Sequence, residues 1–230
     1  MHLGELSRKN TGNTLSDMIL GGQDGLVNVL GVILGVAAAS NDIKIVIAGG
    51  LAATFAESIS MAAVALTSKM AERDHFISEL AREKREIDEM PEKEEAEIRR
   101  VYKAKGFDGK LLDDITDHVM SNDKLWVDQM MKEELELKPV TQKEIYTSSF
   151  VVGFAALVGS FVPITPYFFL PIKNALWVSL GVSVIVLFLV GLYKAKMTVG
   201  KPVKSGIQMV IIGMSAALAG YFIGKLFGAI

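Results

Sequence analysis

Asp17 and Asp24 stand seven residues apart in a stretch that is otherwise almost wholly apolar. Seven residues are two helical turns, so the two carboxylates share a face about 10 Å apart in height, with Asn28 one turn further along it. A second apolar stretch carries Glu57 and, four residues on, Met61. A carboxylate at such a depth is costly unless it is protonated, paired or coordinating a cation. For Asp17 two readings stand: a ligand on this stripe, or a helix cap in a headgroup zone.

A different set lies in the most charged part of the chain. Glu83 with Glu86, and Glu94 with Glu97, are each spaced i, i+3, which places both carboxylates of a pair on one helical face, where they can converge on a cation. Met130, Met131 and Glu134 add two thioethers and a carboxylate. That mixture suits a borderline divalent metal better than Ca²⁺ or Mg²⁺. Charge runs are usually solvated faces, so a surface role for any single Glu stays open, as does plain packing for the two Met. Exposed Met beside acids, however, serves no solubility purpose. With ordinary glutamate pKa values, metal binding is expected to weaken below about pH 5. Glu72-Arg73-Asp74-His75 has the Glu-x-x-His spacing of ferritin-like di-iron bundles, and the alternative it raises is a membrane-anchored ferroxidase or iron-storage protein. Such a site needs a second pair of this kind, which the sequence lacks.

The elements that position these residues follow from where charge is allowed. Residues 69–144 hold 36 of the 50 charged side chains, 21 acidic and 15 basic, and the other 154 residues carry 14. Residues 25–41, 145–172, 174–193 and 205–224 have no charge, and 45–68 has only Glu57. Runs of roughly 20 apolar residues can cross a hydrocarbon core about 30 Å thick. The chain is therefore expected to be an all-α polytopic membrane protein, with five transmembrane helices and one helical insertion between helices 2 and 3. Its parts are an N-terminus (1–13), transmembrane helices 1 and 2 (14–68), the insertion (69–144) and transmembrane helices 3 to 5 (145–230). A turn at Ser40-Asn41-Asp42 separates the first two spans. No helix breaker follows Gly50 until Pro91, so the second helix should run on through Glu89, on the order of 70 Å in all. Helices are predicted from Pro91 to about Lys105, Leu111 to Met120 and Lys124 to Leu137. Thr141 and Glu144 have capping-box spacing ahead of the third span.

Glycines spaced by four, at Gly21 and Gly25, Gly31 and Gly35, and Gly220, Gly224 and Gly228, predict close helix packing, with a second copy as one partner for the first pair. Lys and Arg concentrate at the N-terminus and between the last two spans, which puts the N-terminus and the insertion in the cytoplasm. The chain has no Cys, which excludes disulfides, thiolate zinc sites and Cys-ligated iron–sulfur clusters. Its net charge of −2 offers no basic face for nucleic acid.

The segment Asp17 to Leu26, Gly50-Leu51 followed by Ile59-Ser60-Met61, Glu72 to His75, and Trp126 to Leu135 resemble the vacuolar iron transporter family across nearly the whole chain. The resemblance implies a homodimeric transporter that exports Fe²⁺, and often Mn²⁺, from the cytosol in exchange for protons. It implies no prosthetic group; Fe²⁺, or Mn²⁺, Co²⁺ or Zn²⁺, is cargo. By position it gives Glu83, Glu86, Glu94, Glu97, Met130, Met131 and Glu134 as a cytoplasmic collecting site, Asp24 and Met61 as membrane ligands, and Asp17 near the entrance. Plant members have a Glu where this chain has Ala53, and Glu57, one turn on, could present its carboxylate to the same face. The implied location is a cell membrane in a prokaryote or a vacuolar-type membrane in a eukaryote.

Overall fold

The structure, a computed structural model, describes residues 2–40, 42–197 and 200–228, with side chains from Thr14 onward. It is helical, with no strand among the described residues. In chain order come α1 (His2–Ala39), α2 (Ile43–Glu89), α3 (Pro91–Ala104), α4 (Gly109–Met120), α5 (Asp123–Gln129), α6 (Gln142–Ile164), α7 (Ile172–Met197) and α8 (Pro202–Phe227). A π-helical turn, Met130–Glu134, follows α5, and a 3₁₀ turn, Thr165–Phe168, follows α6. Five segments are long and apolar enough to span a membrane: Thr14–Ala39, Ile43–Glu89, Gln142–Phe168, Ile172–Met197 and Pro202–Phe227. Asn41 of the expected first turn lies outside the described residues, as do the side chains of the N-terminal segment. Next to it, the Asp42 carboxylate accepts from the Lys44 amide at 2.8 Å and opens α2.

The chain forms two compact units, one of Met1–Leu66 with Tyr146–Ile230 and one of Thr67–Ile145. The core of the first is built on α1. Val29, Ile33 and Ala37 pack with Val46 of α2, Ile164 and Tyr167 near the end of α6, and Ala175 of α7. Apolar side chains such as Phe150, Phe154, Trp177 and Phe222 are exposed, as lipid-facing positions require. Lipid offers no hydrophobic drive between helices, so backbone approach does the work. A Cβ at Gly220 or Gly224 would collide with the carbonyl oxygen of Gly31 or Gly35, which makes α1 and α8 a backbone-to-backbone pair. Gly21 and Gly25 face the carbonyls of Val152 and Ala156 on α6. Of the partners open to them, a neighbouring helix of the same chain is the one they meet. Pro163 sits inside α6, and its carbonyl accepts from Ser179 Oγ of α7 at 2.7 Å.

The Thr67–Ile145 unit has its own core of Ile87, Ile98, Val119, Trp126, Val127, Met130 and Met131. Its helices begin where local chemistry says they should. Pro91 opens α3, Asp108 accepts from the Gly109 amide at the start of α4, and Asn122 accepts from the Leu125 amide at 3.1 Å. Thr141 and Glu144 bond reciprocally, Thr141 N to Glu144 Oε2 at 2.8 Å and Glu144 N to Thr141 Oγ1 at 3.2 Å. One prediction needs correction: the helix expected over Lys124–Leu137 is α only to Gln129. The Leu135 amide bonds back five residues to Met130 O at 3.1 Å, and Glu136, at φ 53°, closes the turn in the left-handed region. The wider turn lets adjacent Met130 and Met131 both face the core.

Candidate metal sites

In the membrane-type unit, α1 and α2 bring Asp24, Asn28 and Glu57 together. Asn28 Nδ2 donates to Asp24 Oδ2 at 3.3 Å, and Glu57 lies within hydrogen-bonding reach of both side chains. Met61 is half-buried one turn beyond Glu57 on α2. Asp17 is half-buried two turns before Asp24 and is not part of this group. Ala53 packs against the apolar core around Val29 and Ile33. Glu57 lies one turn later, where polar partners are present. Asn28 is the residue the sequence places on the stripe but not among the ligands; its i, i+4 spacing from Asp24 was the available signal.

In the Thr67–Ile145 unit, five of the expected ligands gather around cations of the chain itself. Lys93 Nζ lies 3.5 Å from Glu86, 3.3 Å from Glu94 and 3.5 Å from Glu97. Arg82 lies 3.3 Å from Glu83, and Arg100 lies 3.3 Å from Glu134. Glu83 and Glu94 are 2% and 0% exposed, and burial raises the pKa of each above the ordinary carboxylate value. Glu134 is pushed up to about 7, first by burial and then by the charge of Glu97 and a hydrogen bond with it. One oxygen on each of Glu83, Glu94 and Glu134 is buried without a hydrogen-bond partner. Among the described residues no three His, Asp or Glu side chains stand together as a ready chelate.

The two Met differ from the sequence expectation. Met130 and Met131 are 0% and 3% exposed and belong to the core with Trp126, so the premise that they are exposed is wrong. The π-turn nonetheless brings them onto the same short segment as Glu134. Glu72 and His75, the Glu-x-x-His pair, are largely exposed; Glu72 pairs with Lys69 at 2.7 Å, and neither residue joins the acidic group. The cations Arg82, Lys93 and Arg100 belong to the group although ligand spacing does not announce them. Lys93 to Glu97 is an i, i+4 pair visible in sequence, but its approach to Glu86 on another helix is not.

Residues 15–225 match the sequence profile of the VIT family. The chain is 32% identical to vacuolar iron transporter 1 of Tulipa gesneriana, over 93% of this chain and 87% of that protein. It is 30% identical to vacuolar iron transporter 1 of Arabidopsis thaliana, over 94% and 86%. Similarity extends to protein CCC1 of Saccharomyces cerevisiae, 29% identical over 93% of this chain and 69% of the yeast protein.

Proposed function

The chain belongs to the VIT family, and from that premise we propose that it carries a divalent transition metal, Fe²⁺ foremost, across the membrane spanned by its five apolar helices. It is a transporter and not an enzyme. One observation carries the reading: Asp24 and Glu57 stand within reach of each other on helices composed for hydrocarbon. Two carboxylates in contact repel unless a cation or a proton lies with them, and a membrane segment retains such groups at a cost that function explains.

In this reading Glu83, Glu86, Glu94, Glu97 and Glu134, with Met130 and Met131, collect metal on the cytoplasmic side. Asp17 receives it, Asp24, Glu57 and Met61 pass it across, and Asn28 orients Asp24. The Lys and Arg distribution supports a cytoplasmic N-terminus and insertion. A desolvated carboxylate that gives up a metal ion regains charge balance by taking a proton, so protons enter as metal leaves. Asn28 is exposed at the edge of α1. A second copy covering that edge makes a homodimer the working unit, with lipid around it. Mn²⁺, Co²⁺ and Zn²⁺ are further candidate cargo.

The test is Fe²⁺ flux into sealed vesicles holding purified protein, with metal and internal pH read together. Asp24→Asn is expected to stop flux while metal still binds the protein, and Glu57→Gln to impair the linked proton movement. Full flux in Asp24→Asn would overturn the pathway; flux without proton movement in the unmodified protein would overturn the exchange.

A further inference from the structure

Each of the five collecting carboxylates meets a cation of the chain, but the cations are not equivalent. Arg82 meets Glu83 at 3.3 Å and Glu86 at 3.6 Å but is anchored by Glu79 at 2.8 Å, outside the collecting set, and Arg100 meets Glu134 at the rim. Lys93 touches three members of the set, from two helices: Glu86 of α2 and Glu94 and Glu97 of α3. Three cations serve five carboxylates, and Arg82 is also held by Glu79, so the group is left undercompensated. Glu83 Oε2 and Glu94 Oε2, on side chains 2% and 0% exposed, have no partner at all. A buried carboxylate oxygen in that condition is costly until a ligand meets it, and the ligand it calls for is a second, more strongly charged cation.

We propose that Lys93 is a tethered counter-ion that holds the collecting site between metal loads and sets its valence selectivity: a divalent ion displaces the ammonium, and a monovalent ion does not. This inference rests on the reading of the five carboxylates as the collecting site. The Lys93 side chain is 51% exposed, so it can swing into water on its flexible stem without breaking the core. Tethering keeps the ammonium at a local concentration of about millimolar or above, which a free ion of equal charge must outcompete with no advantage in charge. A divalent ion has twice the charge and approaches oxygen at about 2.0–2.6 Å. The ammonium stands at 3.3–3.5 Å. Charge over distance then favours the divalent ion roughly threefold in Coulomb energy. When metal leaves, Lys93 returns, so the acids are never left bare.

The experiment measures Mn²⁺ binding to the full-length protein in detergent by calorimetry, at constant ionic strength, with K⁺ or the bulky tetramethylammonium as background cation. Unmodified protein should bind Mn²⁺ alike in both. Lys93→Met should bind about tenfold tighter in tetramethylammonium and lose most of that gain in K⁺, with Lys93→Arg restoring the original behaviour. Lys93→Gln gives the same readout should Met perturb α3. Glu94→Gln should weaken Mn²⁺ in both backgrounds. Unchanged or weaker affinity in both uncharged Lys93 variants, or a gain indifferent to K⁺, would overturn the tethered counter-ion while the Glu94→Gln loss leaves the collecting site standing. Binding untouched by Glu94→Gln would overturn the site and the inference together.

Discussion

Glu134 titrates near neutrality because burial and the charge of Glu97 both disfavour its ionised form. Its folded pKa of about 7 stands above its ordinary value of 4.5. The stability it contributes is therefore fully present below about pH 4.5 and is lost as pH rises through about 7. Metal needs the carboxylate, so binding near pH 6.5 should release a proton, and affinity should fall from about pH 7 downward rather than only below 5. Calorimetry in buffers of different ionisation enthalpy counts that proton; Glu134→Gln should lower the count, and an unchanged count would exclude Glu134 as the source. Met130 and Met131 call for a different test. As core residues they should tolerate Leu at less than about 1.5 kcal/mol each. Truncation to Ala should cost roughly 2–5 kcal/mol, read by thermal unfolding. If either sulfur is a ligand, the Leu variants keep the fold but lose preference for Co²⁺ or Zn²⁺ over Mn²⁺. Their identity was legible in sequence and their burial was not, because a short charged helix gives no periodicity strong enough to separate a core face from a rim.

At the scale of elements, the small-residue contacts decide how the membrane helices meet. Gly224→Leu and Gly21→Leu each place a side chain on a facing carbonyl, so both should prevent the protomer itself from assembling, seen as loss of a monodisperse species in detergent. Gly181, with nothing within 4 Å of its notional Cβ, is the control: Gly181→Ala should be neutral or stabilise by up to about 1 kcal/mol. The four-residue glycine spacing was readable, but the choice between α6, α8 and a second copy was not, since spacing specifies a face and not its occupant. The start of α6 was legible because Thr141 and Glu144 are a complete local code. The π-turn had no such code; hydrogen-bond register over Met130–Glu134 is set by what the core admits, and composition does not record it.

Across the whole molecule, the segregation of charge announced the helical membrane architecture, because hydrocarbon excludes charge more strictly than any soluble core does. The grouping of Asp24, Asn28 and Glu57 was only half legible: helical spacing joined the first two, and the meeting with α2 required the fold. That same helix has a further consequence for how the protein is made. From Leu51 to Glu89 the nascent chain offers the insertion machinery no glycine or proline at which to let go. The end of the inserted length is announced by the ion pair Lys69–Glu72 and then by Arg73, which bonds Gln142 at 2.9 Å and pairs with Asp74. Replacing Lys69, Glu72 and Arg73 by Leu should therefore draw roughly one more helical turn, as far as Asp74, into the translocon's lateral exit, measurable as a shift in glycosylation-acceptor distance. An unchanged distance would mean that the folding of Thr67–Ile145, and not the local charge, pulls the helix back out during synthesis.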